Sequence, residues 1–357
     1  MWNQTSVTEK LGIEYPVLQG PFGGGLSSVA LAAAVSEAGG LGAYGAYMLS
    51  PAEIHAIGRD IRQATAKPYN LNLWVSDTDT PEGMISDARY EAAAGIFRPY
   101  FDELGIPLPP KPAPFASRFE NQLQAVLDVR PKVFSFMFGT LPPDVLETCR
   151  RHGIVTIGAA TTLDEALAQE ATGVDFILAS GFEAGGHRPS FLGSAESSLT
   201  GTFVLVQLIR EKVSTPVIAA GGIANGRGVA AALTLGASAV QVGTAFLACA
   251  ESGALPEHRE VLFSRDAYHT SLTRAFTGRL GRGVSSRISA ETSGHEAAFL
   301  PFPLQTNFMA PLWQAALEQQ QWKLIQFWCG QIAPVLRHRK AAALMQSLIE
   351  ETNALMR

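Results

Sequence analysis

The stretch TPVIAAGGIANGRGVAAALTLGASAVQVGT, residues 215–244, contains one complete unit of the fold. An apolar run ends in a glycine pair, an alanine-rich segment with helical spacing follows, and a second apolar run ends in Gly243 and Thr244. Both runs are apolar almost throughout, which is typical of parallel strands that are buried on both faces. The stretch therefore predicts a strand, a helix and a second, parallel strand.

The same unit recurs from the start of the chain to about residue 245. The predicted strands span residues 15–19, 41–45, 69–75, 132–138, 154–160, 174–180, 215–222 and 237–244. A helical pattern separates each strand from the next, and the segment 30–45 resembles 229–244 in its alanine-rich helix and short strand. Eight alternations of this length favour an α/β fold of the closed (β/α)8 TIM-barrel type over an open doubly wound sheet.

Two regions depart from this alternation. Residues 76–118 follow the third strand and are rich in proline, so we expect an insertion that forms a flap or lid over one face of the barrel. Residues 251–357 are helical and irregular, and their amphipathic segments are expected to pack on the outside of the barrel or against the insertion. The predicted division is a barrel, 1–250, and a C-terminal helical extension, 251–357.

The composition excludes several classes of protein. Hydrophobic residues make up 47% of the 357 residues, charged residues only 17%, and the net charge of −5 provides no basic surface for nucleic acid. No apolar run reaches the roughly 20 residues of a membrane span, and the N-terminus has no signal-peptide pattern. Three widely spaced cysteines indicate buried free thiols in a reducing compartment, so we expect a cytoplasmic protein.

The sequence has neither a convincing dinucleotide-binding motif nor a metal-binding motif. Residues 40–45 match G-x-G-x-x-G, but a helix precedes the match and its glycines flank a strand, so the pattern indicates close packing of small residues. The seven histidines lack the close spacing of metal ligands, and no metal site is expected.

Two glycine turns predict a phosphate site. Gly221 and Gly222 end the seventh strand, and Gly243 and Thr244 follow Gln241 at the end of the eighth. In TIM barrels the loops after these strands commonly bind phosphate, because glycine lets the backbone approach an anion and helix N-termini point N–H groups at it. The ligand indicated is a phosphate-bearing cofactor that lies across the C-terminal mouth of the barrel.

The segment ASGFEAGGHRPSF, residues 179–191, follows the sixth strand at the same mouth. Gly185 and Gly186 allow a tight loop that would turn His187 into the mouth, and histidine suits acid–base chemistry near neutral pH. His187 is therefore the candidate catalytic residue. Glu183 would either orient the imidazole of His187 or brace the loop.

Other side chains are candidates for the walls of the site. Gln19 ends the first strand and Asn72 lies in the third, and each would either cap a strand ladder or form hydrogen bonds at the mouth. Asn70 and Asn72 share one side of their strand, because side chains alternate along it. An apolar wall is expected from Phe22, Trp74, Phe97, Phe115 and Phe119.

Taken in order, these motifs resemble the nitronate monooxygenases, once called nitropropane dioxygenases. The resemblance is carried by QGP, NLNLWV, EAGGHR, PVIAAGGIANG and AVQVGTAFL, and by FTGRLGRGVSSR at 276–287 and WCGQ at 328–331. It implies a barrel that binds FMN non-covalently and oxidises alkyl nitronates, or nitroalkanes that His187 deprotonates, with O2. The products would be a carbonyl compound and nitrite, and no NAD(P)H would be consumed.

The resemblance also implies where the flavin binds. It puts His187 near flavin N5 and the cofactor against Gln19, Gly20, Pro21, Phe22, Asn72, Ser180, Gly185, Gly186, Gly221, Gly222, Gln241, Gly243 and Thr244. Two residues depart from the family pattern: Ser180 stands where many members have Gln, and Pro189 where many have Gly. A flavin contact at Ser180 and the course of the loop after His187 are therefore open.

Three alternatives remain at this point. A flavin-dependent enoyl-acyl-carrier-protein reductase has a similar EAGGH stretch on the same fold, and an NAD(P)H:quinone reductase is related to it. Both would consume reduced nicotinamide. The third alternative, from another class, is a flavin-binding or phosphate-binding module without catalysis. The partners expected are a small nitronate and O2, with no nucleic acid or membrane, and a homodimer is one oligomeric state open to the chain.

Overall fold

A computed structural model of the chain describes residues 1–75, 85–113 and 118–356. Eight of its strands form one parallel sheet, in the order β1-β9-β8-β6-β5-β4-β3-β2. A parallel bridge between Leu18 and Leu41 joins the two ends of this sheet and closes the barrel. The predicted TIM barrel is confirmed. The strands are β1 Val17–Gln19, β2 Gly42–Gly45, β3 Tyr69–Trp74, β4 Val133–Met137, β5 Val155–Ala160, β6 Phe176–Ser180, β7 Gly186–His187, β8 Val217–Ala220, β9 Ala239–Val242, β10 Thr270–Thr273 and β11 Gly281–Val284.

Helices connect successive barrel strands and continue beyond them. They are α1 Ser6–Leu11, α2 Val29–Glu37, α3 Pro51–Ala64, α4 Asp87–Glu103, α5 Phe119–Val129, α6 Pro143–Arg151, α7 Leu163–Thr172, α8 Thr202–Lys212, α9 Gly226–Thr234, α10 Thr244–Leu247, α11 Pro256–Leu262, α12 Arg287–Glu291, α13 Leu304–Glu318 and α14 Ala341–Leu355. Short 3-10 helices span Ala195–Ser198, Arg265–Tyr268, Glu296–Ala298, Trp322–Leu324 and Ala333–Val335. In the described part of the chain, no helix is both long enough and apolar enough to cross a bilayer.

Local sequence explains where helices begin. Ser50 precedes Pro51, its hydroxyl oxygen accepts from the Glu53 N–H, and its own N–H donates to the Glu53 carboxylate, so α3 starts with a capping box. Thr162 caps α7 by accepting a hydrogen bond from the Glu165 N–H on its hydroxyl oxygen. These caps satisfy N–H groups that a helix N-terminus leaves without partners.

The interior of the barrel is a packed apolar core that is closed at one end. Leu18, Ile157 and Ile218 belong to this inner cluster, and Val7 and Leu11 of α1 are buried with them. A TIM barrel is filled by such side chains and is not a pore. Helix α1, which the sequence patterns did not predict, therefore covers the N-terminal end of the barrel.

The predicted insertion contains a long helix in its described part. Helix α4 buries Phe97 and Phe101, whose ring centroids lie 5.9 Å and 5.6 Å from that of Phe308 in α13. A second hydrophobic core thus joins the insertion to the C-terminal extension. Residues 76–84 and 114–117 of the predicted lid lie outside the described residues. Its role as a lid, and the division at residue 250, remain predictions.

The C-terminal extension contacts both the insertion and the barrel. Helix α13 packs with α4 in the second core, and α14 packs against α9 and α2 on the outside of the barrel. The amphipathic pattern at 315–328 does not form one helix, because α13 ends at Glu318 and Gln320 turns with a φ of +56°.

A small antiparallel sheet attaches the extension to the mouth of the barrel. Strand β10 pairs with β11, and β11 pairs with β7, so that Gly281 lies opposite His187. The sequence patterns did not predict this sheet. The pairing brings together residues almost a hundred positions apart, which no local pattern encodes.

Candidate active site

The C-terminal ends of the barrel strands open into a cavity of about 620 Å³. That volume is within the range of small-molecule sites. Residues 325–330 and 332 of the extension line it together with the loops that follow β1, β6, β8 and β9. The predicted site residues that line it are Gly20, Pro21, Phe22, Ser180, Gly185, Gly186, His187, Gly221, Gly222, Gln241, Gly243 and Thr244.

Two predicted cofactor contacts, Gln19 and Asn72, are not among the residues that line the cavity. The Gln19 side chain is fully buried, donates from Nε2 to the Ala43 carbonyl at 2.9 Å, and accepts from the Ala43 N–H at 3.1 Å. Asn72 donates from Nδ2 to the Ser135 hydroxyl at 2.9 Å and carbonyl at 3.1 Å. Asn70 donates to the same hydroxyl. These amides connect neighbouring strands below the mouth.

The two glycine turns present open backbone to the cavity. Gly221 and Gly222 have φ values of +110° and +71°, a left-handed region that favours glycine. At Gly243 no atom lies within 4 Å of the position that a Cβ would occupy. Thr244 accepts a hydrogen bond from the Gly330 N–H at 2.9 Å, which ties the extension to this turn. Space around Gly222 and Gly243 therefore lets an anion approach the backbone of each turn, whereas Gly221 packs against Thr202.

His187 lies at the centre of the mouth and is partly accessible from the cavity. Its Nε2 is 2.8 Å from the Thr277 hydroxyl, and its ring centroid is 4.7 Å from that of Trp328 and 5.1 Å from that of Trp74. Burial, and then the positive charge of Arg279, lower the pKa of His187 to about 3. The imidazole is therefore neutral at physiological pH.

Glu183 and Arg188 hold the loop that carries His187. The Glu183 carboxylate accepts from the Thr202 N–H at 2.9 Å and the Thr202 hydroxyl at 2.9 Å, at the start of α8. Arg188 is buried and donates to the carbonyls of Ser180 at 3.0 Å and Gly181 at 2.7 Å. Of the two roles considered for Glu183, these contacts are those of a brace for the loop.

An aromatic cluster and a cation lie next to His187. The Trp74 ring stacks on Tyr47 at 4.1 Å and meets Phe138 at 4.8 Å. The guanidinium carbon of Arg279 lies 3.9 Å from the Phe138 ring centroid, within the range of a cation–π interaction. Phe138 has a φ of +68°, which is strained for a non-glycine residue. Such strain persists where the surrounding contacts hold the backbone in place, as they often do at active sites.

The predicted apolar wall is partly correct. Phe22 and Trp74 line the cavity, whereas the expectation for Phe97 is wrong, because its ring is fully buried in the second core. Phe119 packs against the outer core of the barrel, and Phe115 lies outside the described residues. The extension supplies a further part of the apolar wall, which sequence reasoning did not assign: Phe276, Phe302, Met309, Trp313, Phe327 and Trp328.

Metal ligands do not cluster in the described part of the chain. Among residues 1–75, 85–113 and 118–356, no group of three or more His, Cys, Asp or Glu side chains could hold a metal ion. The three cysteines are free and buried, as the sequence predicts.

Comparison with known proteins identifies the family. The family model described as nitronate monooxygenase matches residues 4–351. The chain belongs to the nitronate monooxygenase family. A curated relative named nitronate monooxygenase, from Pseudomonas aeruginosa strain PAO1, is 38% identical over 348 residues, which cover 96% of this chain and 98% of the relative. The resemblance seen in the sequence motifs is thereby confirmed.

Solved structures agree with this assignment. The nitroalkane oxidase from Streptomyces ansochromogenes matches with a TM-score of 0.89 and 33% identity, and the match covers 98% of each chain. FabK from Thermotoga maritima matches with a TM-score of 0.73 and 27% identity, over 99% of this chain and 97% of FabK. The chain is accordingly a flavin-dependent oxidoreductase that oxidises nitronates or nitroalkanes, and the FabK likeness is the weaker one.

Proposed function

We propose that the chain oxidises alkyl nitronates with O2, without NAD(P)H, using FMN bound across the C-terminal mouth. One observation carries this proposal: a neutral His187 faces an aromatic cavity that has open glycine turns on its rim. Bound FMN would supply the electron-accepting chemistry of the reaction. The protein's own side chains and backbone groups at the mouth would bind the cofactor and orient the substrate.

The residues present fit FMN. Gly222 and Gly243 would receive the phosphate, because a Cβ at Gly243 would lie in open space and a Cβ at Gly222 would meet only the Glu183 side chain, at 3.7 Å. The backbone of Gly20, Pro21 and Phe22 lies beside the Gly243 turn, because β1 pairs with β9, and would face the ring system. Gln19 and Asn72 would act indirectly, by holding the strands that carry these loops.

His187 would orient the nitronate. We assign the tautomer in which Nε2 accepts from the Thr277 hydroxyl, whose oxygen in turn accepts from the Arg279 N–H at 3.3 Å. Nδ1 then carries the proton and can donate a hydrogen bond to the nitronate, and the nearby Arg279 cation would favour the anionic substrate. A base whose conjugate acid has a pKa of about 3 removes a C–H proton poorly. We therefore expect nitronates to be much better substrates than neutral nitroalkanes.

An aerobic assay of nitrite release tests this function. The purified protein should bind FMN and convert a short alkyl nitronate to nitrite at the same rate with and without NADPH. The variant His187→Asn should retain FMN, because no predicted phosphate contact changes, and should lose at least tenfold in kcat/KM for the nitronate. Full activity in His187→Asn would show that the histidine is structural.

The same assay separates the alternative functions. A reductase acting on an enoyl thioester or a quinone would consume NAD(P)H rapidly and release no nitrite from nitronates. A binding module would hold FMN and do neither. The ordered contacts of His187 with Thr277, Trp328 and Trp74 favour a catalytic site over a binding module.

The proposed function includes a cellular location and an oligomeric state. We propose a cytoplasmic protein, because buried free thiols at Cys149, Cys249 and Cys329 suit a reducing compartment. We also propose a homodimer, which analytical ultracentrifugation of the full chain would test.

A further inference from the structure

One face of helix α13 forms a wall of the cavity. Thr306, Met309, Ala310 and Trp313 all line it, and their spacing of three, four and seven residues places them on a single helical face. At a rise of 1.5 Å per residue, this face extends roughly 10 Å from Thr306 to Trp313. We call these four residues the α13 wall.

The wall leads from the reacting centre to the surface. Phe302 immediately precedes α13, and its ring centroid is 6.4 Å from that of His187. At the other end, the Trp313 side chain is 41% exposed. The α13 wall therefore follows a path from the neighbourhood of His187 to the outer opening of the cavity. Leu26, Met48, Leu255 and Phe276 line the same cavity and add apolar surface.

Arg279 packs on the Phe302 ring at 4.6 Å beside the start of this path, but it does not line the cavity. Among the described residues that line the cavity, the acidic and basic side chains are Glu183, His187 and His258, and lysine and arginine do not occur. Each of the three has a protein partner: Glu183 accepts from Thr202, His187 contacts Thr277, and His258 donates to the Trp328 carbonyl at 2.9 Å. A second negative charge on a substrate would thus be buried here without a counter-ion, which is unfavourable.

We propose that this site takes nitronates with long, uncharged alkyl or arylalkyl chains, and that the chain lies along the α13 wall with its end near Trp313. Carboxylated nitronates are poor substrates, because their carboxylate would lie against the apolar α13 wall without a counter-ion. This inference rests on the proposed function, since it assumes that the nitronate group reacts beside His187. Each methylene group buried along the wall strengthens binding about fourfold.

A substrate series tests the inference. Nitrite release is measured with the nitronates of nitroethane, 1-nitrobutane and 1-nitrohexane, and with that of 3-nitropropionate, which is similar in size to 1-nitrobutane. We expect kcat/KM to rise about threefold to fourfold for each added methylene, and the carboxylated nitronate to fall at least tenfold below 1-nitrobutane. Equal rates along the series, or a preference for the carboxylated nitronate, would overturn the inference while the proposed function stands. No turnover of any nitronate would refute both.

Two matched variants test the role of the wall. Ala310→Lys adds a cation on the wall at an exposed helical position, so it should raise kcat/KM for the carboxylated nitronate at least tenfold and lower it for the hexyl nitronate. Gln314→Lys adds the same charge to the same helix, but Gln314 does not line the cavity, so both values should stay within twofold of the unmodified protein. Identical behaviour of the two variants would show that the substrate chain does not follow the α13 wall.

Discussion

A methyl group at Gly243 tests whether the turn after β9 holds the FMN phosphate. Gly243 has a φ of −99° and a ψ of −83°, just beyond the right-handed helical region, and no atom lies within 4 Å of the position of the added Cβ. Gly243→Ala should therefore lower the free energy of unfolding by about 1 kcal/mol. The same methyl group would occupy space through which an anion reaches the backbone of the turn.

The larger expected loss is in cofactor binding. A hydrogen bond from the backbone to a charged group contributes roughly 1.5–3 kcal/mol. Its loss would raise the Kd for FMN by about tenfold to a hundredfold, because 1.4 kcal/mol corresponds to one factor of ten. The Kd is measured by titrating FMN with the cofactor-free protein and following the quenching of flavin fluorescence.

A matched glycine substitution serves as the control. Gly95 lies in α4, does not line the cavity, and also has no atom within 4 Å of the position of an added Cβ. Gly95→Ala should leave the Kd for FMN unchanged and stabilise the helix by about 0.5–1 kcal/mol. If Gly243→Ala binds FMN as tightly as the unmodified protein does, the phosphate is not held at this turn.

Two further substitutions test the packing of the extension onto the mouth. At Gly185 an added Cβ would lie 2.6 Å from the backbone of Cys329 and of Gly330, so Gly185→Ala should destabilise the fold by about 1–3 kcal/mol in thermal unfolding, and an unchanged Tm would contradict this contact. Burial lowers the pKa of His258 to about 4, so its neutral form is favoured in the fold and stability falls as the pH drops from 6.5, the ordinary value, to 4. Between pH 6.5 and 4, the free energy of unfolding of His258→Gln should fall by about 3 kcal/mol less than that of the unmodified protein. Equal pH dependence of the two proteins would refute the lowered pKa of His258.

Local patterns were sufficient for the barrel. Each strand is a continuous apolar run and each helix has a clear periodicity, as in 215–244, so β8, α9 and β9 follow from residues that are close in sequence. The turns at Gly222 and Gly243 could be located for the same reason. Since all barrel strands are parallel, their C-terminal ends meet on one face, and the glycine turns and His187 had to share it.

Side-chain direction was not predictable at strand ends. Gln19 and Asn72 occur in the right strands, yet their amides bond to Ala43 and Ser135 instead of lining the cavity. Both outcomes are compatible with a polar residue in an apolar run. The choice depends on which backbone groups of the neighbouring strand need partners, and that is known only once the strands are paired.

The chemistry of His187 was set by distant parts of the chain. The sequence alone indicated a histidine at the mouth of a barrel, with an ordinary pKa near 6.5. Trp328, Thr277 and Arg279 come from the extension, which β11 attaches to β7, and together they bury the imidazole, give it a hydrogen-bond partner and keep it neutral. The strand-and-helix plan depends on near neighbours and can be inferred from sequence, whereas the environment of the reacting centre depends on contacts across about a hundred residues and becomes known only from the folded structure.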